Sequence, residues 1–287
     1  DEDVNSLHVK TADESYYIGE AAPAKSYLNQ EKILDVMLSS GTDAVHPGYG
    51  FLSENDDFAR LCEKNKINFI GPSADSMNLC GDKMRCKAAM LDANVPTVPG
   101  SPGLVKDADE AEKIANDIGY PVLLKSVYGG GGRGIRLVTN DKELQEGFET
   151  VTSESIAAVG KSAIIVEKFL EKTRHIEYQM CRDKHGNTVH LFERECSIQR
   201  RNQKLIEQTP SPVVDDAKRE EIGELVVKAA QAVDYTNLGT AEFLRADSGE
   251  FYFIEINARL QVEHPISEMV SGLDFVKLQL DIANGET

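Results

Sequence analysis

Ile33, Leu34, Met37 and Leu38 fall on one face of a 3.6-residue repeat that stops at Gly41, and Phe58, Leu61 and Cys62 repeat the spacing, which predicts two amphipathic helices. Short apolar segments at 43–46 and 67–70 alternate with them, so residues 1–82 read as α/β. This region has few strands and begins within a loop, and is expected to be a unit missing its opening strand–helix pair. A helix is predicted over about 82–93, and VPTVPGSPG (95–103) reads as a hinge. Asp107 and Glu110 form a capping-box pattern ahead of a helix bearing Ala111, Ile114, Ala115 and Ile118, which Gly119 ends. An apolar strand at 121–125, a glycine loop, a strand at 135–138, a helix from about Asp141 and a strand at 163–168 complete a small unit.

From about Phe169 the period changes to two. Residues 175–181, 188–195 and 240–246 alternate, while 251–259 begins as a continuous apolar run and ends in alternating polar residues. DKHGN (183–187) and DSG (247–249) are hairpin turn signals. A long helix carrying Ile222, Leu225, Val226, Ala229, Ala230 and Val233, and a last one from Asp274, supply cover. Antiparallel strands with helices to one side describe an α+β layer. No internal repeat stands out.

Residues 129–134 read Gly-Gly-Gly-Gly-Arg-Gly. The run contains GxGxxG, but a strand follows where a dinucleotide site needs a helix, and no GK[ST] marks a P-loop. Glycines between two strands, framed by Lys125 and Arg133, suit a flap that wraps phosphate oxygens; the plainer alternative is a flexible hairpin tip. Glu255, Asn257 and Arg259 stand at i, i+2, i+4 of one predicted strand. With a turn at 246–249, Glu242 opposes Phe253 and lies diagonal to Glu255, about 7–8 Å away between α-carbons. Two carboxylates and an amide oxygen suit Mg²⁺ on phosphates, against the alternative of an exposed polar strand face. Beyond them, Arg259-Leu260-Gln261-Val262-Glu263-His264-Pro265 offers a cation, an amide and a carboxylate, the inventory to hold an anion and move a proton. His264 before Pro265 reads equally as a turn residue. Residues 199–204 (QRRNQK) read as a solvated charge run.

Charge narrows the partners. Lys and Arg number 31 against 48 Asp and Glu, a net −17, which argues against nucleic acid or an anionic membrane surface. An anionic substrate must therefore be held by local cations or a metal. No apolar run approaches the roughly 20 residues of a membrane span, and no signal peptide is visible. Five cysteines without a CxxC pair read as reduced, mostly buried thiols.

Taken in order, HPGYGFLSEN (46–55), GDK (81–83), KSVYGGGGRG (125–134), EKFLEKTRHIE (167–177), ERECSIQRRNQK (193–204), GTAEF (239–243) and FIEINARLQVEHPISE (253–268) resemble biotin carboxylase, the ATP-grasp component of biotin-dependent carboxylases. The resemblance runs essentially from end to end. It implies an ATP-grasp fold: a partial amino-terminal domain over 1–82, then an ATP-grasp domain over 83–287 with a glycine-loop lid at about 97–169 and a core at about 170–287. The family's carboxyl-terminal domain, with an arginine of its biotin site, is expected to be absent, leaving a weakly active chain. By the same resemblance Lys83, Lys125, Gly131 and Gly132 contact ATP phosphates, Glu167, Lys168 and Leu170 form the adenine linker, and His175 and Gln199 are further nucleotide contacts. Glu242, Glu255 and Asn257 hold Mg²⁺ or Mn²⁺. Lys204, Arg259, Gln261 and Val262 bind bicarbonate, and Glu263 is the general base, with Arg259 and Lys204 beside it in the chemistry. The implied partners are a biotin carboxyl carrier protein or domain, whose biotin is the substrate, a carboxyltransferase, and a second copy of the full-length chain, in the cytoplasm or a mitochondrial matrix. Two departures stand out: Asn202 where the family often has His, and Tyr128 where it has a small residue. The competing readings are another ATP-grasp ligase such as a carbamoyl-phosphate synthase half, and a nucleotide-binding module without turnover.

Overall fold

The computed structural model describes residues 2–127, 134–160, 162–201 and 203–287. Tyr128, Asn202 and the flap glycines Gly131 and Gly132 lie outside them. After the short helix α1 (Leu7–Thr11), the chain forms α2 (Gln30–Ser40), β1 (Ala44–Val45), α3 (Asp56–Lys64), β2 (Asn68–Phe69), α4 (Ala74–Gly81) and α5 (Lys83–Asp92). β1 and β2 pair in parallel, Ala44 with Asn68 and Val45 with Phe69. Side chains start these helices: Asn29, Asn55, Ser73 and Asp82 each accept an amide hydrogen from the first turn that follows. Gly41, at φ 70°, closes α2 where the periodicity stops. α4 is absent from the sequence reading; its start rests on one capping serine.

A second unit comprises α6 (Ala108–Ile118), β3 (Val122–Ser126), β4 (Ile135–Val138), α7 (Asp141–Val159) and β5 (Ile164–Lys168). Its strands form an antiparallel sheet in the order β4-β3-β5. Both helices pack on it through Ala111, Ala115, Leu144 and Val151 against Leu124 and Val166. The segment read as a hinge is strapped on both sides. Ser101 N donates to Val166 O at 2.8 Å, Lys168 N to Pro99 O at 2.8 Å, and Phe253 N to Pro96 O at 2.7 Å. A β-carbon on Gly100 would stand 2.3 Å from Val166 O, so the strap needs glycine there. At the start of α6, Glu110 N donates to Asp107 Oδ1 at 2.9 Å and the Glu110 carboxylate accepts from Lys106 N at 2.9 Å. Asp107→Ala is expected to cost about 1 kcal/mol, read as faster amide exchange in the first turn of α6; unchanged exchange there would show the cap to be redundant.

The third unit is a five-stranded antiparallel sheet in the order β10-β9-β6-β7-β8: β6 (Arg174–Arg182), β7 (Thr188–Arg200), β8 (Gln203–Gln208), β9 (Asn237–Arg245) and β10 (Phe251–Asn257). The stretch read as a solvated charge run, 199–204, instead holds the end of β7 and the start of β8, paired as Gln199 with Lys204 and Arg200 with Gln203 at the sheet edge. α8 (Asp216–Ala232), α9 (His264–Ser271) and α10 (Phe275–Ala283) complete the unit. Ile176, Tyr178, Phe243, Phe253 and Ile256 join Ile222, Val226 and Ala230 of α8 and Met77, Cys86 and Met90 of α4 and α5 in one core. Thus the first and third units share their apolar interior. All five cysteines are free and buried, and burial pushes the Cys62 thiol up to about 11. Among the described residues no helix is long and apolar enough to cross a membrane.

Candidate active site

The alternation that sends Ile176, Tyr178 and Met180 of β6 into the core sends His175, Glu177 and Gln179 to the opposite face. On β9, Thr240 and Glu242 alternate in the same way with Ala241 and Phe243. β10 would break the pattern, because a strict period of two puts Phe253 and Glu255 on one side. A bulge resolves this. Phe253 pairs with Phe243 and Glu255 with Glu242, leaving Ile254 as the extra residue. Glu255 therefore stands directly opposite Glu242, not diagonal to it, and Glu242 does not face Phe253 as the unbulged hairpin requires. Phe253 and Ile256 stay in the core while Glu255 and Asn257 join the polar face.

Lys204 of β8 reaches across that face. Its Nζ pairs with Glu177, with Glu242 at 3.0 Å and with Glu263 at 2.7 Å. His175 Nε2 lies 2.9 Å from the other Glu242 oxygen. Burial disfavours charge on Lys204, Glu242 and Glu263, yet mutual pairing wins. The Glu177 and Glu242 carboxylates hold the Lys204 amine above its ordinary range against that burial. Glu242 is buried, but the His175 hydrogen bond and the Lys204 charge keep its carboxyl well below the usual value. Glu263 is likewise lowered, because Lys204 outweighs its desolvation. Glu255 goes the other way: burial and the neighbouring Glu242 charge raise it, and the cation that pairs with it among the described residues, Lys83 Nζ, stands 3.7 Å off. Glu255, left under-compensated directly opposite Glu242, suits a divalent cation shared with it, and the donors are hard oxygens. Asn257 turns its amide nitrogen to Glu242 at 2.8 Å and its oxygen to Arg259 at 3.3 Å.

Two residues beneath this face escaped the sequence reading. Glu177 and Arg194 are wholly buried, and Arg194 Nε donates to Glu177 at 2.6 Å. The same guanidinium donates to Gln179 Oε1 at 2.8 Å, Ser267 Oγ at 2.9 Å and Thr240 Oγ1 at 3.0 Å. The available signal was the run His175, Glu177, Gln179, polar at every second position of an otherwise apolar strand.

Past β10 the chain turns into α9. His264 and Pro265 open that helix, correcting the turn reading; Pro in the first helical turn sacrifices no hydrogen bond. Glu263 sits at the helix cap, where the partial positive charge of the first turn favours an anion. Arg259 NH1 donates to Gln261 Oε1 at 3.0 Å. That contact fixes the Gln261 amide, whose Nε2 is buried with no hydrogen-bond partner among the described residues. A buried orphan donor is expensive, and here it stands beside the Arg259 guanidinium and two residues before Glu263. Val262 is exposed.

The remaining candidates form a separate group. Lys125 of β3 and Lys87 of α5, the latter missed in the sequence, converge on Glu167 of β5, Lys87 at 3.2 Å. Burial raises Glu167, but the two ammonium groups lower it overall. Lys168 Nζ is engaged by the carbonyls of Gly119 and Tyr120 at 2.8 and 2.9 Å. Leu170 is half-buried just beyond β5. Gln199 pairs with Lys204 across the β7–β8 hairpin and donates to Cys196 O at 2.8 Å.

Comparison with known proteins separates the competing ligase readings. The biotin carboxylase amino-terminal domain family matches residues 1–77, and the carbamoyl-phosphate synthase L chain ATP-binding domain family matches residues 82–287. The 2-oxoglutarate carboxylase small subunit of Hydrogenobacter thermophilus is 53% identical over 97% of this chain and 59% of its own length. A Nostoc biotin carboxylase is 52% identical over 99% of this chain and 64% of its own. Among solved structures, biotin carboxylase from Campylobacter jejuni in a β,γ-ATP complex superposes with a TM-score of 0.91 at 46% identity, over 100% of this chain and 64% of that one. The biotin carboxylase domain dimer of the Hydrogenobacter enzyme, in complex with MgADP, ADP and bicarbonate, gives 0.89 at 52% identity, over 99% and 63%. The chain spans about three fifths of the length of these relatives. Because it joins a biotin carboxylase amino-terminal domain to an ATP-binding domain of this type, with such identity over nearly every residue, the chain belongs to the biotin carboxylase family of ATP-grasp proteins.

Proposed function

We propose that the protein is the ATP-binding part of a biotin carboxylase, using MgATP and bicarbonate to carboxylate biotin borne on a carrier. The observation that carries this reading is the orphan Gln261 amide beside Arg259, two residues before the Glu263 that pairs with Lys204. Those groups form a donor-lined anion site with a base at its edge, adjoining a carboxylate pair suited to a divalent cation. A relative that holds MgADP and bicarbonate superposes over 99% of the chain.

In this mechanism Arg259, Gln261 and Lys204 orient bicarbonate, and Glu263 takes its proton. The freed oxygen attacks the γ-phosphorus of ATP, the bond to the β-phosphate oxygen breaks, and ADP leaves with carboxyphosphate formed. Carboxyphosphate splits to CO₂ and phosphate; the phosphate removes the N1 proton of biotin, and N1 bonds to CO₂. Lys83 and Lys125 stabilise charge on the transferring phosphoryl group. Glu242, Glu255 and Asn257 would hold Mg²⁺ or Mn²⁺, which supplies further compensation of phosphate charge. Glu167, Lys168 and Leu170 form the adenine linker, His175 and Gln199 touch the nucleotide, and Val262 contributes its backbone to the anion site. Gly131 and Gly132 close over the phosphates. The domain division at residue 82, the lid at about 97–169, the carrier and carboxyltransferase partners and a homodimer belong to the same reading.

Phosphate release from ATP is expected to require bicarbonate and to rise with free biotin. ATP binding without bicarbonate-dependent release would leave a nucleotide-binding module. Glu255→Gln should raise the Mg²⁺ needed for half-maximal release by on the order of tenfold, equivalent to about 1.4 kcal/mol of cation affinity, with folding intact. An unchanged Mg²⁺ dependence would remove Glu255 from the metal set.

A further inference from the structure

Arg259 is held from a distance of more than two hundred residues. Glu54, in the 46–55 segment of the first unit, accepts from Arg259 Nε at 2.8 Å with one carboxylate oxygen and from Ala258 N at 3.0 Å with the other. The Glu54 backbone is itself fixed. Ser53 before it is buried, and Asn55 after it caps α3 by accepting from Phe58 N at 2.7 Å and also accepts from Gln30 Nε2 at 3.0 Å. With Nε taken by Glu54, NH1 by Gln261 and NH2 by Asn257, the guanidinium plane has one orientation. Arginine otherwise carries much rotamer freedom, which a fixed fork removes before any ligand arrives. Glu54 also lines a cavity of 250 Å³ together with Lys83, Glu255 and Asn257, so it stands at the wall of the site.

We infer that Glu54 is a positioning residue. It aims Arg259, and through it the Gln261 amide, at the bound bicarbonate without touching that anion itself. The inference rests on the proposed anion site and extends it to the amino-terminal unit, which thereby completes a site whose other residues lie on the core sheet. Its side chain is 40% exposed, so substitution opens no buried void.

The test uses Glu54→Gln, which keeps the shape and an acceptor for Ala258 N but presents no charge to Arg259. Bicarbonate binding is read from ¹³C line broadening and MgATP binding from calorimetry; kcat/KM for bicarbonate is read from phosphate release. Bicarbonate binding is expected to weaken by on the order of tenfold and kcat/KM to fall by ten- to a hundredfold, the scale of a misplaced binding group. MgATP binding should stay within about twofold, because Glu54 contacts no proposed nucleotide ligand. In an Arg259→Lys background, which keeps a charge but has no Nε–H, the same replacement should cost less than about half as much in logarithmic terms, since neighbours acting as a unit are not additive. Equal bicarbonate binding in Glu54→Gln, or a loss of the same size in both backgrounds, overturns the positioning role. Wild-type protein that neither broadens bicarbonate nor cleaves ATP with it overturns the functional reading instead.

Discussion

Glu263→Gln is expected to lower bicarbonate-dependent ATP cleavage by on the order of a thousandfold, the middle of the range for a positioned general base. The substitution preserves shape, the helix start at His264 and a hydrogen-bond acceptor, so MgATP binding and folding should persist. What it removes is the proposed proton acceptor, a carboxylate 2.7 Å from Lys204. The pH profile supplies an independent check. Lys204 holds Glu263 below its ordinary 4.5 despite burial, so the base is ionised throughout the neutral range and no acid limb is expected there. Replacing Lys204 by Met removes the main lowering influence and leaves desolvation unopposed by that charge. Residual activity in Lys204→Met should then acquire an acid limb at higher pH than the parent, with the loss appearing as pH falls. Glu263→Gln retaining activity within tenfold of the parent would assign the base to another group.

What the chain discloses before folding is local. The Asp107 cap, the Gly41 stop and the alternation of 175–181 all act within a few residues, and each appears where the pattern places it. The site depends on relations the pattern does not contain. The bulge at Ile254 moves Glu255 to the polar face, and nothing in FYFIEIN marks which residue is extra; register is decided by Phe243 and Phe253 competing for one core. β8 (QKLIEQ) is mostly polar and exposes Leu205 and Ile206, so it becomes a strand only because β7 offers an edge. The Glu54–Arg259 contact joins residues 205 apart and leaves no periodic trace. Motif resemblance fared better than periodicity at these positions, since Lys204, Glu242 and Glu263 do meet around one ammonium group.

The largest stability effect is expected at Arg194, and its sign separates anchoring from mere packing. Arg194 and Glu177 are both wholly inaccessible, and the guanidinium spans β6, β7, β9 and α9 through Glu177, Gln179, Thr240 and Ser267. Arg194→Met fills much of the volume but leaves the Glu177 carboxylate buried with Lys204 as its remaining cation, while Thr240 and Gln179 lose their donor. Breaking such a pair from one side costs about 3–5 kcal/mol, measurable as a shift in the denaturant midpoint at constant slope. Arg194→Met combined with Glu177→Gln removes both charges and should recover a large part of that loss, since two neutral groups of similar shape no longer require compensation. Catalysis should not recover with it, because Lys204 has then lost the carboxylate that fixes it between Glu242 and Glu263. The pH dependence gives a further sign. Lys204 is raised in the folded state, so its contribution is fully present below the unfolded value of 10.5 and is lost only as pH climbs through the folded value. Glu242 is lowered, so its contribution holds above 4.5 and is lost as pH falls through the folded value. Stability of the parent from this cluster should therefore be level between those limits. A double variant no more stable than Arg194→Met alone would mean that the guanidinium acts by filling space and donating to Thr240 and Ser267, and that the buried carboxylate is indifferent to its loss.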